Sequence, residues 1–171
     1  MNSKLLLKIT YFLLIGLFIP IYAGNYYVSN SSTSTDWSSA NNLNTPCDVT
    51  TAFKNAVAGD TVFFRGGTYI VPQRTIGNWL SGYYNPSNSG TEGNPIVFMA
   101  YPGEVPLFNG TTGGPKDKDG HGYYDFATIF GVNDVQPSGS NRFQEYIVYD
   151  GFSLQADGGT GEARVSLARG D

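Results

Sequence analysis

The sequence predicts an all-β solenoid entered through one short helix, and three observations carry that reading. The apolar runs are short and nearly continuous: Thr61-Val62-Phe63-Phe64-Arg65, Pro95-Ile96-Val97-Phe98-Met99-Ala100 and Tyr146-Ile147-Val148-Tyr149. Such runs suit strands covered on both faces, as in parallel sheets. Only one stretch has helical periodicity, so helices do not separate the strands. Between the runs lie polar, Gly-rich excursions of unequal length, residues 82–94, 111–124 and 132–141. A sandwich or barrel calls for closely spaced hairpins. A solenoid lets loops of variable length out on its sides.

The first 23 residues read as an export signal. Lys4 and Lys8 supply a positive start, residues 9–21 an apolar run broken by Pro20, and Ile21 and Ala23 stand at the −3 and −1 cleavage positions. The run is shorter than the roughly 20 apolar residues of a spanning helix. The expectation is a secreted, cell-surface or periplasmic protein of bacterial source, with no membrane association after cleavage; the alternative is an uncleaved N-terminal anchor. Residues 24–171 then form one domain. Removing the signal takes two of the ten basic residues and no acid, leaving eight against fourteen and a net charge of −6. That balance argues against nucleic acid, which needs clustered Lys and Arg, but not against a sugar polymer, even an acidic one.

Only 14% of residues are charged, while Gly counts 22, Tyr 12 and Phe 11, the mix of a turn-rich β protein. Cys47 stands alone, so no intrachain disulfide forms and packing must hold the domain together. Cys47 reads as a small, partly buried residue beside a helix start, with no neighbouring base to activate it.

The elements follow in order. Asn25-Tyr26-Tyr27-Val28-Ser29 is a short strand, and the Ser-, Thr- and Asn-rich residues 30–44 are a loop around Trp37. The helix is expected over residues 49–58, capped by Asp48 or Thr50 and stopped by Gly59. Val49, Ala52, Phe53, Ala56 and Val57 share one face, which must lie over the sheet that follows. After the strand at 61–65, Gly66-Gly67 turns the chain. The run at 95–100 turns through Tyr101-Pro102-Gly103-Glu104 into a short strand at 105–108. Thr128-Ile129-Phe130 is a further candidate strand, and Asp150-Gly151 turns the last run into Phe152-Ser153-Leu154.

Ala58-Gly59-Asp60-Thr61-Val62-Phe63-Phe64-Arg65-Gly66-Gly67-Thr68-Tyr69, preceded by a strand and a helix, resembles the start of right-handed parallel β-helix proteins of the pectate-lyase-like superfamily. Gly90-Thr91-Glu92-Gly93-Asn94-Pro95-Ile96-Val97-Phe98 with Tyr101-Pro102-Gly103-Glu104 resembles the next coil. Glu145-Tyr146-Ile147-Val148-Tyr149-Asp150-Gly151-Phe152 resembles the one after. The matches cover most of residues 25–155, in the expected order. The resemblance implies a right-handed parallel β-helix whose helix caps the N-terminal end. It implies an exported protein acting on polysaccharide, most simply a lyase cleaving acidic glycans by β-elimination, with Ca²⁺ in the full-length protein and none evident in this segment. Such a lyase uses Ca²⁺ to neutralise the uronate and a Lys or Arg to take the proton α to it; hydrolases on the same fold use carboxylates instead. Those residues sit on central coils, and about three coils are visible here, so catalytic and metal-binding residues are unassigned and this segment alone is expected to be inactive. The alternatives are a non-catalytic adhesion or glycan-binding scaffold and a glycoside hydrolase on the same fold, and a standalone β domain sharing the N-terminal pattern is a further one.

The densest chemical cluster is Lys116-Asp117-Lys118-Asp119-Gly120-His121-Gly122-Tyr123-Tyr124. It copies part of a calcium loop, but Pro115 stands where the first ligand belongs and no closing Glu follows. It reads first as a solvated loop tip. The alternative is sugar contact through Lys118, Tyr123 and Tyr124, since aromatic faces stack on sugar rings. His121, the only histidine, is a bystander. Arg65 and Arg74 are expected to pair with carboxylates. Arg169-Gly170-Asp171 is a chance tripeptide, and the sequons at Asn30 and Asn109 are idle in a bacterium. After Leu154 no capping element is recognisable, which predicts a solenoid truncated at its C-terminal end, unless residues 164–171 pack as a makeshift cap.

Overall fold

Period-two alternation decides which way each strand faces. In β2 (Thr61–Phe64), Val62 and Phe64 are fully buried while Thr61 and Phe63 are half-buried. In β4 (Ile96–Ala100), Ile96 and Phe98 are buried and Val97 and Met99 half-exposed. The computed structural model describes residues 23–71, 84–109, 128–131, 133–135, 141–155 and 164–166. The predicted cleavage signal before Ala23, Arg74, and the loop carrying Lys118, Tyr123 and Tyr124 lie outside them.

Three sheets are built by a chain that visits each in turn. Strand β1 (Asn25–Val28) precedes α1 (Val49–Asn55); β2 then leads to β3 (Gly67–Ile70), and β4 to β5 (Pro106–Asn109) and β6 (Thr128–Gly131). After β7 (Asn133–Val135) and β8 (Asn141–Phe143) come β9 (Ile147–Asp150), β10 (Ser153–Gln155) and β11 (Arg164–Ser166). The first sheet has the order β1-β2-β4-β9 and the second β3-β5-β10; the third pairs β6 with β11. Tyr84 joins that third sheet through a parallel bridge to Phe130. Every pairing between coils is parallel. This is a parallel β-helix of three stacked coils among the described residues, as the short continuous runs predicted.

Thr61 pairs with Val97 and Val97 with Val148, so the first repeat is 36 residues and the second 51. The excess holds the antiparallel hairpin of β7 and β8. The sequence reading treated residues 132–141 as a polar loop; the short, polar arms of the hairpin gave no apolar alternation to detect. Strand β11, in the stretch whose packing as a makeshift cap is the alternative to truncation, continues the third sheet beside β6.

The helix ends at Asn55 with Ala56 as its C-cap, not at residue 58. Its last carbonyls are taken by another segment: Phe53 O accepts from Ser87 N at 2.9 Å, and Ala56 O from Asn88 Nδ2 at 2.9 Å. Val57 N donates to the Asp60 carboxylate instead of continuing the helix, and Val57 is left 37% exposed, off the apolar face. Gly59 turns the chain at φ +90° after the helix has ended. Asp48, not Thr50, is the cap, its carboxylate accepting from Thr51 N at 2.7 Å.

Aromatic rings from all three sheets fill the interior. Tyr69 stacks on Phe108 at 4.8 Å, Phe108 meets Phe130 edge-on at 4.7 Å, and Phe130 stacks on Tyr149 at 4.9 Å. From α1, Phe53 stacks on Phe98 at 4.4 Å, so the helix packs into the coils through one ring.

Candidate functional site

The outward side of the first sheet carries a half-buried aromatic cluster. Register places Tyr27, Phe63, Met99 and Asp150 in one line across β1, β2, β4 and β9. Each alternates with inward-facing neighbours, so the line faces away from the core. Tyr27 and Phe63 stack at 5.8 Å, and Tyr101, just past β4, packs 6.1 Å from each ring. These residues are half-buried, and Val148 on the outward side of β9 is 40% exposed.

This overturns one expectation. The continuous apolar runs predict strands covered on both faces. The inner face is covered, but the outer face carries a partly exposed aromatic cluster. Phe63 between Val62 and Phe64 was the available signal, and apolar continuity cannot distinguish a covered outer face from an apolar one left open.

Arg65 borders the cluster. Its Cζ lies 5.0 Å from the centre of the Tyr101 ring. Its Nε donates to Glu104 Oε2 at 2.9 Å and its Nη2 to Oε1 at 2.7 Å, the carboxylate pairing expected for this residue. Gly66 N also donates to Glu104 Oε2. The Arg65 hydrogen bonds, then the Gly66 N–H, hold the Glu104 carboxyl below its ordinary range, and Glu104 in turn raises Arg65. The pair therefore presents no net charge to the aromatic face.

The other candidates are engaged or buried. Cys47 is fully buried, and burial followed by the nearby Asp48 pushes its thiol up to about 12, the inert state expected. Asp60, 1% exposed, accepts from Gly24 N and Val57 N, each at 2.9 Å. Asp36 accepts from Ser38 N and Ser38 Oγ. Among the described residues no three His, Cys, Asp or Glu side chains converge as metal ligands. The carboxylates among the described residues are dispersed, and Asp60 and Glu104 are bound to protein donors. Lys118, Tyr123 and Tyr124 lie outside the described residues; the aromatic face of Tyr27, Phe63 and Tyr101 has no counterpart in the sequence expectations. No described helix is long and apolar enough to cross a membrane.

Neither a protein-family model nor a curated protein sequence matches the chain. Solved structures do. A pectate lyase, Pel9A, superposes with a TM-score of 0.50 at 18% identity, over 78% of this chain and 28% of that one. A rhamnogalacturonan lyase superposes with a TM-score of 0.53 at 23% identity, over 77% of this chain and 28% of that one. This chain spans 28% of the length of each lyase it matches. At these identities the likeness speaks for the fold alone. The stacked parallel coils and these superpositions together give the chain the pectate-lyase-like β-helix fold.

Proposed function

We propose that this chain is the N-terminal portion of an exported polysaccharide lyase that cleaves acidic glycans by β-elimination. The observation that carries the reading is the superposition of more than three quarters of the chain on two lyases. In β-elimination a base takes the proton α to a uronate carboxylate, the glycosidic C–O bond to the leaving sugar breaks, and a C=C bond forms in the product. That chemistry needs a base and a cation close to the carboxylate. The described residues offer no such constellation, so the reaction belongs to residues outside them and the first coils serve as scaffold. Calcium enters only as an arm of the assay.

A second reading, a non-catalytic glycan-binding scaffold, draws support from the outward cluster of Tyr27, Phe63 and Tyr101 beside a neutralised Arg65. The test follows unsaturated uronate by ultraviolet absorbance on pectate, alginate and chondroitin, with Ca²⁺ and with chelator. The complete gene product and the 171-residue chain are assayed side by side. Activity in the complete product alone is expected. Silence from both counts against a lyase acting on these polymers and leaves a glycoside hydrolase on the same fold and the scaffold. Sequencing the N-terminus of the exported protein checks cleavage after Ala23.

A further inference from the structure

Resting on the polysaccharide reading, we infer that the outward face of the first sheet is a glycan-holding surface that grips neutral or esterified sugar rings by stacking rather than by charge. The core does not require these rings. Inward aromatics from three sheets already fill the interior, with Phe64, Phe98, Phe108 and Phe130 essentially inaccessible. On the other side of the same strands, Tyr27, Phe63 and Tyr101 form a second aromatic cluster that solvent reaches. Contiguous apolar surface that solvent reaches is the material of which interaction sites are made.

The chemistry of the face selects its occupant. The C–H faces of sugar rings match aromatic surface, and a few polar groups at the edge orient the ring, the usual composition of a small-molecule site. Asp150 lies in line with Phe63 and Met99, and the Arg65–Glu104 pair borders Tyr101. Both superposed structures are named as lyases of polysaccharides. Charge decides which sugars. The guanidinium that would hold a uronate is already committed to Glu104 at 2.7 Å, and Asp150 adds a negative charge to the line. The face therefore disfavours free carboxylates and takes neutral or methyl-esterified stretches, holding one part of a chain whose charged part is cleaved elsewhere.

The test is affinity electrophoresis of the complete gene product in chelator, through gels containing polygalacturonate or methyl-esterified pectin. Stronger retardation by the esterified polymer is expected, changing less than about twofold between about 50 and about 500 mM NaCl, because contacts without net charge are little screened. Phe63→Thr and Tyr101→Thr should each weaken it about fivefold to tenfold, while Phe63→Tyr and Ile70→Thr, the latter on the second sheet, should retain it. Circular dichroism separates lost binding from lost fold, and the Tyr101 variant, outside the strands, stands in if the Phe63 variant does not fold. The inference is overturned by wild-type retardation in both folded Thr variants, by no retardation in the unmodified protein, or by a steep loss with salt. A change of oligomeric state without a change in glycan affinity also overturns it, making the face a protein interface. Lyase activity without retardation sinks this inference alone; retardation without activity sinks the lyase and leaves this surface standing.

Discussion

Glu104 grips Arg65 and the backbone of Gly66 at once, tying the turn after β4 to the turn after β2. The two turns belong to adjacent coils, so one carboxylate clasps a corner of the solenoid. Because the pair is about a third exposed, solvent screens much of its attraction. Glu104→Gln should lower the melting temperature by only a few degrees near neutral pH, checked by calorimetry. The sign of the pH effect is set by the depressed Glu104 pKa. The stabilisation is fully present above the ordinary carboxylate pKa and is lost as pH falls through the lower, folded value. The gap between wild type and Glu104→Gln should therefore close in acid; a constant gap would mean the clasp works by shape rather than charge.

Asp60 is the buried counterpart of that clasp. Its two oxygens accept from Gly24 N and Val57 N, fixing the entry to β1 against the exit from α1. Asp60→Ala leaves two backbone donors short of an acceptor in a site that is 1% exposed. An unsatisfied buried group costs about 1–3 kcal/mol, so the variant should lose at least that much in urea denaturation with an unchanged slope. Asp48→Ala, which removes only the helix cap, should cost about 1 kcal/mol. Equal losses in the two variants would argue that Asp60 is merely another cap.

What the sequence made legible was whatever one period or one side chain decides locally. The strands at 61–64 and 96–100 and the Asp48 cap are of this kind, as is Gly67, held at φ +130° against the Asn30 side chain. Gly66 was expected to share that role, but it does not adopt positive φ; its N–H serves Glu104. The helix end was overrun because Ser87 and Asn88, more than thirty residues away in sequence, claim its carbonyls. The aromatic face was hidden for a similar reason. Tyr27, Phe63 and Tyr101 meet only once the coils are stacked, and no spacing along the chain announces a register of 36 residues between Phe63 and Met99. The motif that stood out in the sequence, around Lys118, Tyr123 and Tyr124, stood out by local density of charge and aromatics, which says nothing of what stacks above or below it.

Cys47 offers a test of the cap at the N-terminal end. It lies at 0% exposure, bridged to Val28, with its thiolate suppressed to neutral pH and well above. A thiol-specific chromogenic reagent should label it only as fast as that end opens, and quickly in denaturant. Prompt labelling of the folded protein would mean that the segment before α1 is not closed over β1.

The strongest packing prediction concerns Phe53. Val62, Phe98 and Tyr149 form one inward column through successive coils. The first coil contributes its smallest member, Val62, and α1 adds the Phe53 ring, 4.4 Å from Phe98 and nearly parallel to it at 7°. The same ring lies 5.4 Å from Tyr84 and 5.9 Å from Phe130, so it touches the third sheet as well as the first. Phe53→Ala should cost about 3–5 kcal/mol, as expected for a buried ring whose cavity cannot collapse. Because Phe53 and Phe98 share one contact, the double variant with Phe98→Ala should fall short of the summed single losses by about 0.5–1.5 kcal/mol. Strict additivity in a denaturation cycle would show that the helix covers the coils without being keyed into them. Coupling would show that the capping helix and the second coil form one cooperative unit.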